Sequence, residues 1–127
     1  MKLRIKRVYE PASADDGERV LIDRLWPRGL AKAEAAVDHW LRELAPSTGL
    51  RRWFGHDPAR WDEFRRRYFA ELGAEAAAGA RAELRALLAG PRPVTLLYGA
   101  RDEEYNNAVA LREYLQRWAS PPAADGL

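Results

Sequence analysis

Residues 19–25 have the sequence RVLIDRL, and residues 93–98 have the sequence PVTLLY. Each segment contains a run of apolar residues that suits a strand buried on both faces of a sheet. Helical patterns fill the chain between them, and strands separated by helices indicate an α/β domain. The two segments therefore predict a single compact α/β domain with a small central sheet of about three or four strands, flanked by helices.

The rest of the chain predicts one more strand and several helices. Residues 2–9 alternate charged and apolar side chains and predict another strand. The connection from there to residues 19–25 is short for a parallel crossover, so we expect an antiparallel pair. Helices are predicted over residues 31–44, 57–72, 75–89 and 103–119, with Asp102 as the N-cap of the last one. The domain is expected to span residues 1–119, and residues 120–127 are expected to form a flexible tail.

The composition excludes several classes of protein. The chain has 127 residues and no cysteine, which excludes thiol nucleophiles, redox dithiols and cysteine-bound metal centres. Its 21 Lys and Arg residues against 19 Asp and Glu residues give a net charge of only +2, less than a duplex-binding protein usually carries. The sequence shows neither a signal peptide nor an apolar run of membrane-spanning length. We therefore expect a cytoplasmic protein with no membrane partner.

Charged residues follow both of the buried strands. Residues 23–29 (DRLWPRG) come at the end of the first, and residues 98–104 (YGARDEE) come at the end of the second. In open α/β sheets, ligands bind beyond the carboxyl ends of the strands. If the two strands are parallel neighbours, the two charged segments meet and form a candidate site.

The chemistry of these side chains suggests a role for each. Arg24 and Arg28 would hold a phosphate or a carboxylate. The catalytic candidates are the possible acid-base groups Asp23, Asp102 and Glu103, and the pocket wall would be formed by Trp26 and Tyr98. This reading predicts a small enzyme or ligand-binding domain for an anionic small molecule. The alternative is an interaction protein in which these charges neutralise one another and leave no pocket.

A second concentration of arginine lies in the Arg51–Arg67 region. Together with Trp53 and Trp61 it would suit nucleic acid, because aromatic rings stack on bases and arginines bind phosphates. However, Asp62 and Glu63 stand four residues before Arg66 and Arg67, so ion pairs along the helix should offset part of this charge. A nucleic-acid-associated or regulatory binding module is therefore the alternative function.

Two other kinds of site find little support. The chain has two histidines, His39 and His56, and no residue has the spacing of a metal-ligand set, so we predict no metal site. His56 is expected to make a loop or capping contact. Glycine-rich nucleotide loops and the G-x-S-x-G elbow are absent, so the sequence identifies no cofactor.

Several stretches together carry a family resemblance. They are DRLWPRG at 23–29, DHWL at 38–41, LRRWFGHDP at 50–58, VTLLY at 94–98 and NNAV at 106–109. With these stretches the chain resembles the YeaO-like branch of the DUF488 family of small bacterial proteins, over about residues 2–118. The resemblance implies one α/β domain with no established activity, and it adds Asn107 to the candidate binding residues. The family pattern commonly has His at the position of Tyr105. The resemblance therefore implies that this chain has a hydrogen-bond donor at this position and lacks a base that works near neutral pH.

Overall fold

The central sheet has four strands in the computed structural model, which describes residues 3–118. The strands are β1 (Leu3–Arg7), β2 (Glu18–Leu21), β3 (His39–Trp40) and β4 (Val94–Tyr98). The helices within the described range are α1 (Lys32–Ala35), α2 (Thr48–Phe54), α3 (Trp61–Leu72), α4 (Ala78–Ala89) and α5 (Asn107–Trp118). The predicted α/β domain with a small sheet is thus confirmed. The tail predicted for residues 120–127 lies outside the described residues.

All the strands of this sheet run parallel, in the order β1-β4-β2-β3. The antiparallel pairing expected for the first two strands is therefore wrong. The reason is that β4, whose five residues are all buried, lies between β1 and β2 and hydrogen-bonds to both. An inner position in a parallel sheet suits a strand that is apolar on both faces, because both faces are then buried away from water.

The helix predicted over residues 31–44 is also wrong, because only the short α1 forms there. Ala36 adopts a left-handed conformation that ends the helix. The buried guanidinium of Arg19 donates to the carbonyls of Ala35 and Ala36 at 2.8 and 3.0 Å, and it fixes this turn against β2. The chain then extends, and His39 and Trp40 pair with β2 as the edge strand β3.

The two faces of the sheet bury different clusters. Val20, Ile22 and Leu96 belong to the larger cluster, which includes buried residues of α2, α3, α4 and α5. Leu21 and Leu97 belong to a smaller cluster on the other face, against which Trp26, Val37 and Trp40 pack. Since successive residues of a strand point to opposite faces, the alternation in β2 and β4 divides the core in this way.

A glycine fixes the junction between the starts of β2 and β4. Gly17 has φ +65°, and a Cβ atom there would lie 2.1 Å from the carbonyl oxygen of Pro93. The next residue, Glu18, donates its backbone N–H to that same oxygen at 2.8 Å. No side chain fits at this approach, so the register of the two central strands depends on Gly17.

Candidate functional site

The carboxyl ends of β2 and β4 open into a cleft of about 480 Å³. These two strands are parallel neighbours, so the segments that follow them meet as the strand-end argument requires. We name this feature the arginine cleft. The residues that line it are Asp23, Arg24, Leu25, Arg28, Ala45, Pro46, Arg51, Phe54, His56, Phe64, Gly99, Ala100, Tyr105, Asn106 and Asn107.

Asp23 lies at the inner end of the cleft, and protein donors engage both of its carboxylate oxygens. The side-chain amide of Asn107 donates to Oδ1 at 2.9 Å, and the backbone N–H of Gly99 donates to Oδ2 at 2.8 Å. Burial raises the pKa of the Asp23 carboxyl, although these two hydrogen bonds and the charge of Arg51 act in the opposite direction. Asp23 thus ties the start of α5 and the loop after β4 to the end of β2.

The loop after β4 is also held by β1, the strand that neighbours β4 on the side away from β2. Arg7, the last residue of β1, donates from Nε to the carbonyl of Ala100 at 2.8 Å and from a terminal nitrogen to that of Gly99 at 3.3 Å. A Cβ atom at Gly99 would lie 3.0 Å from Oδ2 of Asp23. A side chain at this position would therefore press on the carboxylate that Gly99 binds, and the carboxylate or the loop would have to shift.

Three arginines line the cleft, with one carboxylate among them. Arg24 donates to the carbonyls of Ala45 and Pro46 at 3.1 and 3.4 Å, so it also supports the wall of the cleft. Arg28 and Arg51 are exposed, and neither guanidinium makes a hydrogen bond or ion pair with another described residue. The cleft is consequently electropositive, with two arginine side chains available to a ligand.

His56 stands beside these arginines in a left-handed conformation, with φ +57°. Few residues other than glycine adopt this conformation. Its ring lies 6.4 Å from the ring of Phe54, and within residues 3–118 neither ring nitrogen has a hydrogen-bond partner. The capping contact expected for His56 is thus absent from this part of the chain; Asp57, the next residue, caps the following turn through Ala59.

The acidic residues after β4 do not join the arginine cleft. Asp102 lines a neighbouring pocket, and its Oδ1 accepts hydrogen bonds from the backbone of Glu104 and Tyr105, both at 2.9 Å. These bonds lower the pKa of the Asp102 carboxyl. Glu103 is exposed and lines neither cavity. The arginines and these acids therefore do not form the mixed cluster that the sequence suggested.

The prediction that Asp102 is the N-cap of the last helix is wrong. The side chain of Asn106 accepts a hydrogen bond from the backbone N–H of Val109 at 2.9 Å, and α5 begins at Asn107. The residues just before α5 form a turn, in which the backbone N–H groups of Glu104 and Tyr105 donate to the Asp102 carboxylate. The helix consequently starts several residues later than predicted, and this delay brings Asn107 to Asp23.

The two aromatic residues expected in the pocket wall lie elsewhere. Tyr98 is 3% exposed in the larger core cluster, where burial raises its pKa. Trp26 packs edge-on against Trp40 in the smaller cluster, on the opposite face of the sheet, and donates to the carbonyl of Leu30 at 2.7 Å. Phe54, Phe64 and Tyr105 supply the aromatic wall in their place.

The arginines of α3 are occupied by acidic neighbours. Glu63 binds Arg66 at 2.5 Å and Arg67 at 2.7 Å, so the expected Glu63–Arg67 pair is confirmed. Asp62 binds Arg65 at 3.0 Å instead of the expected Arg66. Nearby, two guanidinium groups lie over the ring of Trp53: that of Arg60 is 5.2 Å from the ring centre, and that of Arg67 is 4.4 Å from it. These ion pairs offset part of the charge of α3, as expected.

The cleft also contains the buried Asn106, which was not a candidate, and sequence reasoning missed two more of its polar residues, Arg51 and His56. The sequence groups Arg51 with the α3 arginines, whereas α2 places it at the wall of the cleft. The signal that could have found them is the LRRWFGHDP stretch, in which Leu50 and Phe54 are buried on one side of a short helix that Gly55 ends.

Comparison with known proteins identifies the family. The family described as "Inactive DUF488-N3 subclade" matches residues 2–124. This chain belongs to that family. It is 42% identical over 116 residues to the uncharacterized protein YeaO of Escherichia coli, which covers 91% of this chain and 98% of that protein. It is 43% identical over 114 residues to the uncharacterized protein Rv3073c of Mycobacterium tuberculosis, covering 90% and 93%. No solved structure matches the chain significantly.

Two further findings concern metals and membranes. Within the described residues there is no group of three or more His, Asp or Glu side chains that could hold a metal ion. None of the helices described here has the length and apolar character needed to cross a membrane.

Proposed function

We propose that this protein is a cytoplasmic binding domain for a small anionic molecule, which carries a phosphate or a carboxylate and is held in the arginine cleft. The observation that carries this proposal is that Arg28 and Arg51 line the cleft and that neither guanidinium makes a hydrogen bond or an ion pair with another described residue. Arg19, Arg65, Arg66 and Arg92 bind carboxylates of the protein itself, and this is the kind of contact that Arg28 and Arg51 leave open to a ligand. An arginine side chain prefers bidentate contacts with anions of these two kinds.

The shape of the cleft supports a small ligand. Its volume of about 480 Å³ falls in the range of small-molecule sites. Phe54, Phe64 and Pro46 give it apolar walls, and Asn107 is tied to Asp23 at its inner end. Apolar walls with a few converging polar groups are typical of such sites.

Binding without turnover agrees best with the site. Both oxygens of Asp23 accept hydrogen bonds from the protein, so this carboxylate is poorly placed to take a proton from a ligand. The other catalytic candidates, Asp102 and Glu103, do not line the arginine cleft. The description of the matched family as inactive points in the same direction.

A thermal-shift experiment tests the proposal. Inorganic phosphate, pyrophosphate, and a sugar phosphate paired with the same sugar lacking phosphate are compared on the wild-type protein. A ligand at 100 times its dissociation constant stabilises the folded state by about 2.7 kcal/mol. We expect the charged compounds to stabilise the protein and the neutral sugar to have no effect.

Two double variants locate the site. Arg28→Ala with Arg51→Ala removes the two free cations and should abolish the stabilisation. Arg24 is left unchanged because it supports the backbone of Ala45 and Pro46. Arg66→Ala with Arg67→Ala removes the same charge from α3 and should leave the effect intact. Equal stabilisation of both double variants, or none of the wild type, would contradict the proposal.

A further inference from the structure

The two histidines differ in their contacts within the described residues: acidic side chains bind one ring, and the other ring makes no hydrogen bond or ion pair. His39 places Nε2 2.9 Å from Glu18 and Nδ1 3.9 Å from Glu83. The imidazole of His56 makes no hydrogen bond or ion pair with any residue in the 3–118 range. A side chain held in a left-handed conformation at the wall of a cleft, with both ring nitrogens available, is placed to meet a ligand.

From this placement we infer that His56 is a contact residue for the bound anion and that it takes up a proton as the anion binds. This inference rests on the proposed function. An imidazole gains a proton between about pH 5 and pH 8, and the imidazolium has two N–H donors. His56 would thereby add a fourth cation to Arg24, Arg28 and Arg51, and the bound anion would offset the mutual repulsion of these charges.

The charged groups around His56 favour this coupling. The arginines of the cleft, one from α2 and two from the loop after β2, line the same cavity, so a bound anion would offset the charge of all of them. Asp102 and Arg101 line the neighbouring pocket, which His56 also lines, and the interaction between His56 and Asp102 is attractive. Asp57, the next residue, is committed to Ala59 and Arg60. The neutral group Tyr105 completes the wall of the cleft.

Asp23 is the other group whose protonation could tighten anion binding. Because burial raises the pKa of its carboxyl, it loses its negative charge at a higher pH than an exposed aspartate. Its two oxygens are, however, already bound by Asn107 and Gly99 at the inner end of the cleft. A decisive experiment must therefore separate the effect of His56 from that of Asp23.

Isothermal titration with sulfate provides this separation, because sulfate keeps two negative charges throughout the pH range used. The wild-type protein should bind sulfate roughly tenfold more tightly at about pH 5.5 than at about pH 8. Titrations in two buffers of different ionisation enthalpy should show proton uptake on binding near pH 7.

The variant His56→Asn removes the imidazole, and asparagine tolerates the left-handed conformation. It should bind sulfate with the weaker affinity at every pH and without proton uptake. His56→Arg should bind tightly at every pH, because its charge is permanent. His39→Gln is the matched control and should behave like the wild type.

The outcomes distinguish this inference from the proposed function. Sulfate binding that keeps its full pH dependence in His56→Asn would overturn the role of His56 and assign the proton to Asp23. Binding that is independent of pH in the wild type would also overturn it, while leaving the anion site in place. Failure of the wild type to bind sulfate at any pH would overturn the proposed function itself.

Discussion

The side-chain amide of Asn107 bridges Asp23 and the strand before it, donating to Oδ1 of Asp23 at 2.9 Å and to the carbonyl of Ile22 at 3.0 Å. The first residue of α5 is thus fixed to the end of β2. Together with the bond from Gly99, this contact determines where three chain segments meet at the inner end of the arginine cleft.

Removing this amide should destabilise the protein. Asn107→Ala leaves a partly buried carboxylate and a backbone carbonyl with one partner fewer, which costs about 1–3 kcal/mol. Urea unfolding measures the loss, and Gln116→Ala, on the exposed face of the same helix, serves as the control. Equal stability of the two variants would show that the bridge contributes nothing.

The close approach of Gly99 to Asp23 gives a second prediction. In Gly99→Ala the new Cβ would stand 3.0 Å from Oδ2 of Asp23, so either the carboxylate or the loop must shift. We expect a loss of about 1 kcal/mol or more in the free energy of unfolding. Gly79→Ala, where the Cβ meets nothing within 4 Å in α4, should be neutral or stabilising. A Gly99→Ala protein as stable as the Gly79→Ala protein would refute the steric argument.

The titration of Asp23 should respond to one arginine and not to its neighbour. Carbon-13 NMR of the aspartate carboxyls should place the pKa of Asp23 above the ordinary aspartate value of 3.8 and the pKa of Asp16 below it. Arg51→Ala should raise the pKa of Asp23 further, because the charge of Arg51 lowers it. Arg52→Ala removes an adjacent exposed arginine and should leave it unchanged. A pKa of Asp23 that changes in Arg52→Ala but not in Arg51→Ala would mean that Arg51 does not face the cleft.

The same shift predicts how Asp23 affects stability. The folded protein holds the Asp23 proton more tightly than the unfolded chain, so this group stabilises the fold below its unfolded pKa. That contribution is lost as the pH rises from about 4 through the raised folded pKa. Asp16 has the opposite sign: hydrogen bonds from Ser13, Lys6 and Arg19 outweigh its burial, and its contribution is lost as the pH falls. Unfolding curves of Asp23→Asn and Asp16→Asn against pH should therefore differ from the wild type in opposite directions.

The ion pairs of α3 lead to a prediction about nucleic acid. Hydrogen bonds from Arg66 and Arg67 lower the pKa of Glu63 to about 2, so both arginines remain paired at neutral pH. We expect the wild type not to retard single-stranded DNA in a gel at low salt, and Glu63→Gln, which frees both arginines, to retard it. Asp62→Asn is the control, since Arg65 keeps its bond to Glu113 at 2.7 Å. Retardation by the wild type would favour the nucleic-acid function instead.

Local patterns predicted the elements of this fold better than their arrangement. The apolar runs of β2 and β4 identified two buried strands, but strand order depends on long-range pairing, and β4 entered between β1 and β2. Residues 31–44 have apolar side chains at helical spacing, yet the guanidinium of Arg19, from another segment, binds the carbonyls that end α1. Tertiary contacts of this kind override a weak local preference.

The candidate site was predictable to a similar extent. The strand-end rule placed Asp23, Arg24 and Arg28 at one edge of the sheet, and the structure brings them together there. It could not place Trp26, because the turn after β2 carries that side chain to the opposite face. Nor could it place Arg51, whose position follows from the packing of α2 against the core.

An NMR titration of the wild-type protein with phosphate tests the central claim most directly. If the cleft binds anions, the backbone amide signals of Arg51, His56, Gly99 and Asn107 shift together and saturate, and those of α4 stay in place. The Arg28→Ala, Arg51→Ala double variant then shows no such response. The absence of any saturable shift, or a shift confined to α3, would contradict the assignment of the arginine cleft as an anion site.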